Sequence, residues 1–222
     1  MSAKAVNSND KCFKSSKVVP STQITTDIKS QNYSPRSRLE IEKMVKKIRD
    51  QYNISNEYPL QVVKFANKLG FRVFTAEFND PNIYGAISIK ENQKIIYVNI
   101  KDSLIAQRYI VAHELAHYFL HMQAENDNKD KINEIIDMYY SLEYNDYEAE
   151  ADMFAEALLM DKDKITTKYK DISKSQEFKL NKKIYSKSIY KQSLLLKLSQ
   201  YFGVGTKKIG SRLNTLGLLD NA

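Results

Sequence analysis

Apolar residues fall into a few periodic stretches separated by polar ones. Residues 1–34, rich in Ser, Thr, Lys and Asn, show no period and are expected to form a disordered tail. Order is predicted to begin at Ser37-Arg38-Leu39-Glu40. A Ser and a Glu three apart, just ahead of an apolar run, form a capping-box pattern. Ile41, Val45, Ile48 and Tyr52 then recur at helical spacing, which predicts a helix to about Gln51. Pro59 opens a second helix in which Leu60, Val63 and Leu69 face inward and Gly70 is the stop. Phe71 to Phe78 alternates as a strand, as does Ala86 to Ile89, and Glu91-Asn92-Gln93 reads as a hairpin turn into Lys94–Asn99.

Gln107 to Met122 contains no Gly or Pro and predicts a buried helix from about Leu104. Residues 123–133 are polar and read as a loop, and a further helix is expected from about Asp146 to Met160. Helices followed by short strands and more helices describe an α+β domain.

The helix from Leu104 holds the most informative chemistry. All three histidines of the chain lie in His113-Glu114-Leu115-Ala116-His117-Tyr118-Phe119-Leu120-His121. The first five letters read H-E-x-x-H. Helical residues four apart share a face, so His113 and His117 can reach one Zn²⁺, while Glu114 stands beside the ion without needing to ligate it. Unligated imidazoles and a carboxylate among Ile110, Val111, Leu115 and Phe119 would be poorly solvated, and a metal resolves that problem. His121 lies too far along a straight helix to join His113 on one ion, about 12 Å, and reads as a helix-end or supporting residue.

A catalytic zinc site needs a third protein ligand. In the later helix, Ala151, Phe154, Ala155 and Leu158 form an inward stripe, with Glu148 and Asp152 at its edge and Glu150 on the opposite flank. A carboxylate pressed against an apolar edge needs a cation. Glu148 is therefore the expected ligand and Glu150 the competing one. Asp152, one turn on, is placed to accept a hydrogen bond from a ligating imidazole and fix its tautomer. The donor to a reaction oxyanion is expected to be a Tyr or an Arg, which fifteen tyrosines leave unidentified, and a strand within 84–99 is expected to align an extended substrate.

Composition and charge narrow the setting. The net charge is +7, divided as +6 over residues 1–50, −9 over 51–161 and +10 over 162–222. An acidic middle suits a cation, and a basic tail suits nucleic acid or an acidic partner. No apolar run reaches transmembrane length, no hydrophobic leader is visible, and Cys12 is the lone cysteine; these point to a cytoplasmic protein without membrane contact.

His113 to His121, taken with Glu148-Ala149-Glu150-Ala151-Asp152-Met153-Phe154-Ala155 and Leu158-Leu159-Met160, resembles the ImmA/IrrE metallopeptidases of bacteria and their mobile elements. The resemblance spans roughly residues 40–165 and implies a zincin-like domain with a small antiparallel or mixed sheet packed on the H-E-x-x-H helix. It implies one zinc ion on His113, His117 and Glu148, Glu114 as catalytic base, and peptide-bond hydrolysis. Asp161 stands where family members commonly carry Pro, a difference at a helix stop.

Some family members cleave a helix-turn-helix repressor encoded beside them, so a protein of that kind is the expected substrate. Leu198 to Leu213 also resembles the helix-turn-helix appended to many members, with Gly203 at the turn and Ile209 and Leu213 packing the second helix. Lys207, Lys208 and Arg212 are its expected contacts to DNA phosphates or to the substrate. The expected organisation is a tail over 1–34, a metallopeptidase domain over 35–185 and a helical segment over 186–222. The reading from a different class is a regulator without proteolysis, binding DNA or a partner around a structural zinc.

Overall fold

The computed structural model describes residues 14–15, 34–80, 82–90, 93–122, 134–138 and 146–219. The elements run β1 (Lys14–Ser15), α1 (Arg38–Gln51), α2 (Val62–Lys68), β2 (Phe71–Ala76), β3 (Ile83–Lys90) and β4 (Gln93–Asn99). They continue with α3 (Leu104–His117), a π-helical turn over Tyr118–Met122, β5 (Glu134–Met138), α4 (Asp146–Leu159), α5 (Lys162–Lys174), α6 (Gln176–Ile184), α7 (Lys187–Phe202) and α8 (Thr206–Thr215). This is an α+β chain. The expected loop over 123–133 lies outside the described residues, as does the 1–34 tail apart from β1 and residue 34.

Two compact units are present, Met1–Met44 with Gln61–Ala155 and Val45–Leu60 with Glu156–Ala222. The boundary expected near residue 185 falls inside the second unit.

The first unit holds a five-stranded mixed sheet in the order β1-β2-β4-β3-β5. β2 runs parallel to β1 and β4, and β3 runs antiparallel to β4 and β5. Lys90 pairs with Gln93, so β3 and β4 form a hairpin whose two turn residues lie outside the described residues. β3 is flanked by β4 and β5, and β4 by β2 and β3. This corrects the expectation that a strand within 84–99 aligns a substrate by strand addition: along their paired lengths both are interior strands, with their main-chain groups already engaged. β5 is an element the sequence pattern did not reveal.

Alternation explains the two faces of the sheet. Phe71 and Val73 of β2, Ile87 of β3 and Ile96 and Val98 of β4 are buried, and α3 packs on β3 and β4. Ala76, Ile83 and Ala86 cluster with Phe78, and Tyr97 packs against them. Each fully buried Ile or Phe removes apolar surface worth about 1.5–3 kcal/mol. α1 begins at the expected cap: the Ser37 backbone N–H donates to Glu40 Oε2 at 2.8 Å, and the Glu40 backbone N–H donates to Ser37 Oγ at 3.4 Å.

α3 starts on a Ser103 cap, whose side chain accepts from the Ala106 backbone N–H. From Ile110 to His117 every residue of α3 is buried. Sheet and helices enclose it, so its polar side chains must find partners inside the protein. Phe119 of the π-helical turn stacks between Phe65 of α2 and Phe154 of α4, at centroid distances of 6.4 and 5.7 Å.

In the second unit, Asp161 separates α4 from α5 and caps the latter, accepting from the backbone N–H groups of Asp163 and Lys164 at 3.1 Å. Ser175 caps α6 and Ser186 caps α7. Gly203 ends α7 at φ +63°, a left-handed conformation that glycine adopts without steric cost. Leu194, Leu198, Phe202, Val204, Ile209 and Leu213 form its buried interior.

Candidate metal centre

Helical period places His113 and His117 on one face of α3, and their Nε2 atoms point toward a carboxylate from α4. His113 Nε2 lies 3.1 Å from Glu148 Oε2, and His117 Nε2 lies 3.5 Å from Glu148 Oε1. One donor atom from each of the three residues falls within 4.8 Å of the other two. Donors held by a single tetrahedral zinc at about 2.0–2.1 Å stand about 3.4 Å apart. The observed separations bracket that spacing, and two imidazoles with one carboxylate suit a divalent transition metal.

Further groups contact the candidate ligands. Asp152 Oδ1 lies 3.4 Å from His113 Nδ1 and accepts from the Tyr109 hydroxyl at 2.9 Å. An imidazole that donates from Nδ1 keeps a lone pair at Nε2, the nitrogen facing Glu148. Asp152 thus lies beside His113 Nδ1, and the contact from Tyr109 was not anticipated.

Glu114 is fully buried. Its carboxylate lies against the backbone of β3 at Gly85, where an added Cβ would overlap Glu114 Oε1 and come within 2.6 Å of Ile110 Cγ2. The absent side chain of Gly85 is what makes room for the carboxylate. An isolated glycine in a strand pattern signals this kind of close approach. The neighbouring Tyr84 places its hydroxyl 3.2 Å from Glu148 Oε2, to which it donates, and 3.4 Å from His113 Nε2. Tyr84 thus puts its phenol among the candidate ligand atoms.

The structure separates His121 and Glu150 from the three-residue cluster. His121, in the π-helical turn, meets His117 on the far side of the ring, Nδ1 to Nδ1, at 2.9 Å. Its Nε2 lies 3.2 Å from Glu150 Oε2. Burial pushes the His121 pKa down to about 4, against the opposing pull of its hydrogen bond to Glu150, so the ring is neutral near pH 7. Glu150 is more deeply buried than Glu148, the reverse of what their places on the helix stripe suggest. Arg36 accounts for the difference: its Nη1 donates to Glu150 Oε2 at 3.0 Å and its backbone N–H donates to Oε1. Glu150 is thus neutralised by an arginine rather than held as a metal ligand.

The three cations expected on α8 divide. Lys207 is exposed and Lys208 half-buried. Arg212 is fully buried, and its Nε donates to the Met160 carbonyl at 3.1 Å. That corrects its expected role, because an enclosed guanidinium has no face to offer a phosphate. Ile209 and Leu213 are both fully buried.

An α+β fold carrying two histidines and an adjacent glutamate on one helix, with a carboxylate from a later helix, defines the class of H-E-x-x-H metallopeptidases. Residues 66–214 match the IrrE N-terminal-like domain, Peptidase_M78. The chain belongs to this peptidase family, and the match runs from α2 through most of α8. A search of curated proteins returned no match. Among the described residues, no helix is long and apolar enough to cross a membrane.

Proposed function

We propose that the chain is a zinc-dependent endopeptidase and that its substrate is a helix-turn-helix transcriptional repressor. The observation that carries the first part is the convergence of His113, His117 and Glu148 beside the buried Glu114. The substrate rests on the family resemblance, in which such repressors are cleaved by some members.

His113 and His117 would hold zinc through Nε2 and Glu148 through its carboxylate. The bound ion supplies a Lewis acid and lowers the pKa of a water toward about 7. The rest of the mechanism belongs to the chain's own side chains. Glu114 accepts the proton of the attacking water and delivers it to the departing amine nitrogen. Burial against Gly85 holds that carboxylate in one place, so little reorganisation is needed when the proton moves. Tyr84 donates from its hydroxyl to the oxygen that gains charge as the peptide carbon becomes tetrahedral. Asp152 keeps His113 in the ligating tautomer. A merely architectural zinc would leave the burial of Glu114 without a purpose, which favours hydrolysis over a structural role. The DNA-binding alternative loses one of its three cations with the enclosure of Arg212.

The test is incubation of the full-length, zinc-loaded protein with a helix-turn-helix repressor of the kind some family members cleave, taken from its source's own genome. Two fragments are expected with the natural chain and none with Glu114→Gln. An intact repressor with both proteins rejects the substrate; equal cleavage by both rejects Glu114 as the base.

A further inference from the structure

The second nitrogen of His117 leads away from the metal site through a continuous row of buried polar groups. This Nδ1 meets His121 Nδ1 at 2.9 Å, His121 Nε2 meets Glu150 Oε2 at 3.2 Å, and Glu150 Oε2 meets Arg36 Nη1 at 3.0 Å. Arg36 Nη2 is tied in turn to the Leu120 carbonyl at 3.2 Å, beside His121 in the π-helical turn. His117, His121 and Glu150 are almost fully buried, so these contacts are not exchanged with bulk water. π-helical turns within longer helices occur often at functional sites.

The row has a direction, and its far end sets it. Both oxygens of Glu150 already accept from Arg36, one from the backbone N–H and one from Nη1, which leaves the carboxylate as acceptor only. His121 must therefore donate to it from Nε2. A neutral imidazole that donates from Nε2 offers only a lone pair at Nδ1. His117 must then donate from its own Nδ1, and its Nε2 is left with the lone pair that faces Glu148. We propose that Arg36, Glu150 and His121 act as a positioning chain that sets the tautomer and ring orientation of His117 for metal binding.

This inference rests on the reading of His113, His117 and Glu148 as a metal site. It assigns duties to the third histidine of the motif, to the acid that competes with Glu148 in the sequence, and to an arginine 114 residues away from that acid. Asp152 serves His113 in the same sense, so each imidazole has its own orienting partner. The two partners differ in length: Asp152 reaches its imidazole directly, whereas Glu150 acts through an intervening ring.

The experiment is competition for zinc between the full-length protein and a chromophoric chelator, with the fold of each variant checked by circular dichroism. His121→Phe keeps a ring but removes both hydrogen bonds, and should weaken zinc binding on the order of 10–100-fold, as losses of such supporting partners do. His121→Gln can accept at Oε1 and donate from Nε2, and should recover most of that loss. Unchanged zinc affinity in folded His121→Phe overturns the proposal. So does an equal loss in both folded variants, which would show that ring shape rather than hydrogen bonding matters. If His121→Phe does not fold, Arg36→Leu decides: weaker zinc binding supports the chain, and unchanged affinity overturns it. His117→Ala separates this from the underlying reading. Zinc retained by that variant rejects the metal site itself, whereas zinc lost there but unaffected by changes at residue 121 rejects only the chain.

Discussion

Gly85 and Glu114 share a single space: the position a Cβ would take on β3 is occupied by the carboxylate of the proposed base on α3. Gly85→Ala should therefore act on Glu114 first. The helix is held by its buried neighbours, so the carboxylate must swing or the strand must shift. Displacement of a catalytic group by about 1 Å is enough to cost on the order of 100-fold in rate. The added methyl should also lower stability by about 1–3 kcal/mol through overpacking. Repressor cleavage and urea unfolding measure the two effects. Full cleavage activity in a folded Gly85→Ala protein would show that Glu114 does not depend on this contact.

Tyr84 has its hydroxyl near both His113 Nε2 and Glu148 Oε2. Tyr84→Phe removes the donor and keeps the ring, which meets the His113 ring edge-on at 5.8 Å. Loss of one oxyanion donor typically lowers kcat by about 100- to 1,000-fold. The prediction is a fall in kcat with KM little changed and zinc content unaltered. A fall in zinc content with normal turnover per bound ion would make Tyr84 a support for the ligands instead.

His121 gives the metal-free protein a pH dependence whose sign follows from its environment. Burial lowers its pKa in the folded protein to about 4, from an ordinary value of 6.5. Its hydrogen bond to Glu150 and the charge of Glu150 oppose that shift, while His117 and Arg36 reinforce it. Between these two pH values the unfolded chain takes up a proton that the folded chain does not, so acidification favours unfolding. The penalty is absent above the unfolded value, grows as pH falls and levels off below the folded value, reaching about 3 kcal/mol. Chelator-treated protein should thus lose more stability between pH 7 and pH 5 than His121→Gln does. Parallel urea unfolding series at the two pH values make the comparison, and equal losses would contradict this assignment.

How much of this was visible in the sequence depended on how local each interaction is. His113 and His117 were legible because helical period alone puts them on one face. Ala151, Phe154, Ala155 and Leu158 were legible for the same reason, and all four are fully buried. The contrast between Glu148 and Glu150 was not, because it is set by Arg36, far off in sequence. Tyr84 joins the site through the pairing of β3 with its neighbours, which no local pattern reports. The glycine beside it was a usable signal, since Gly85 is the single glycine in the run Ile83–Lys90. α5 and α6 carried signals too, in the caps at Asp161 and Ser175 and in the helical spacing of Ile165 and Tyr169. Arg212 misled for a physical reason. Its charge reads as a surface contact, yet its guanidinium serves the carbonyl at Met160 inside the second unit.

The central claim is that side chains from α3 and α4 hold one metal ion together. Elemental analysis of zinc per chain, on the full-length protein and on Glu148→Ala, tests it most directly. The account predicts one zinc per natural chain and a loss of stoichiometric zinc in a Glu148→Ala protein whose circular dichroism is unchanged. One zinc per chain in both would contradict it.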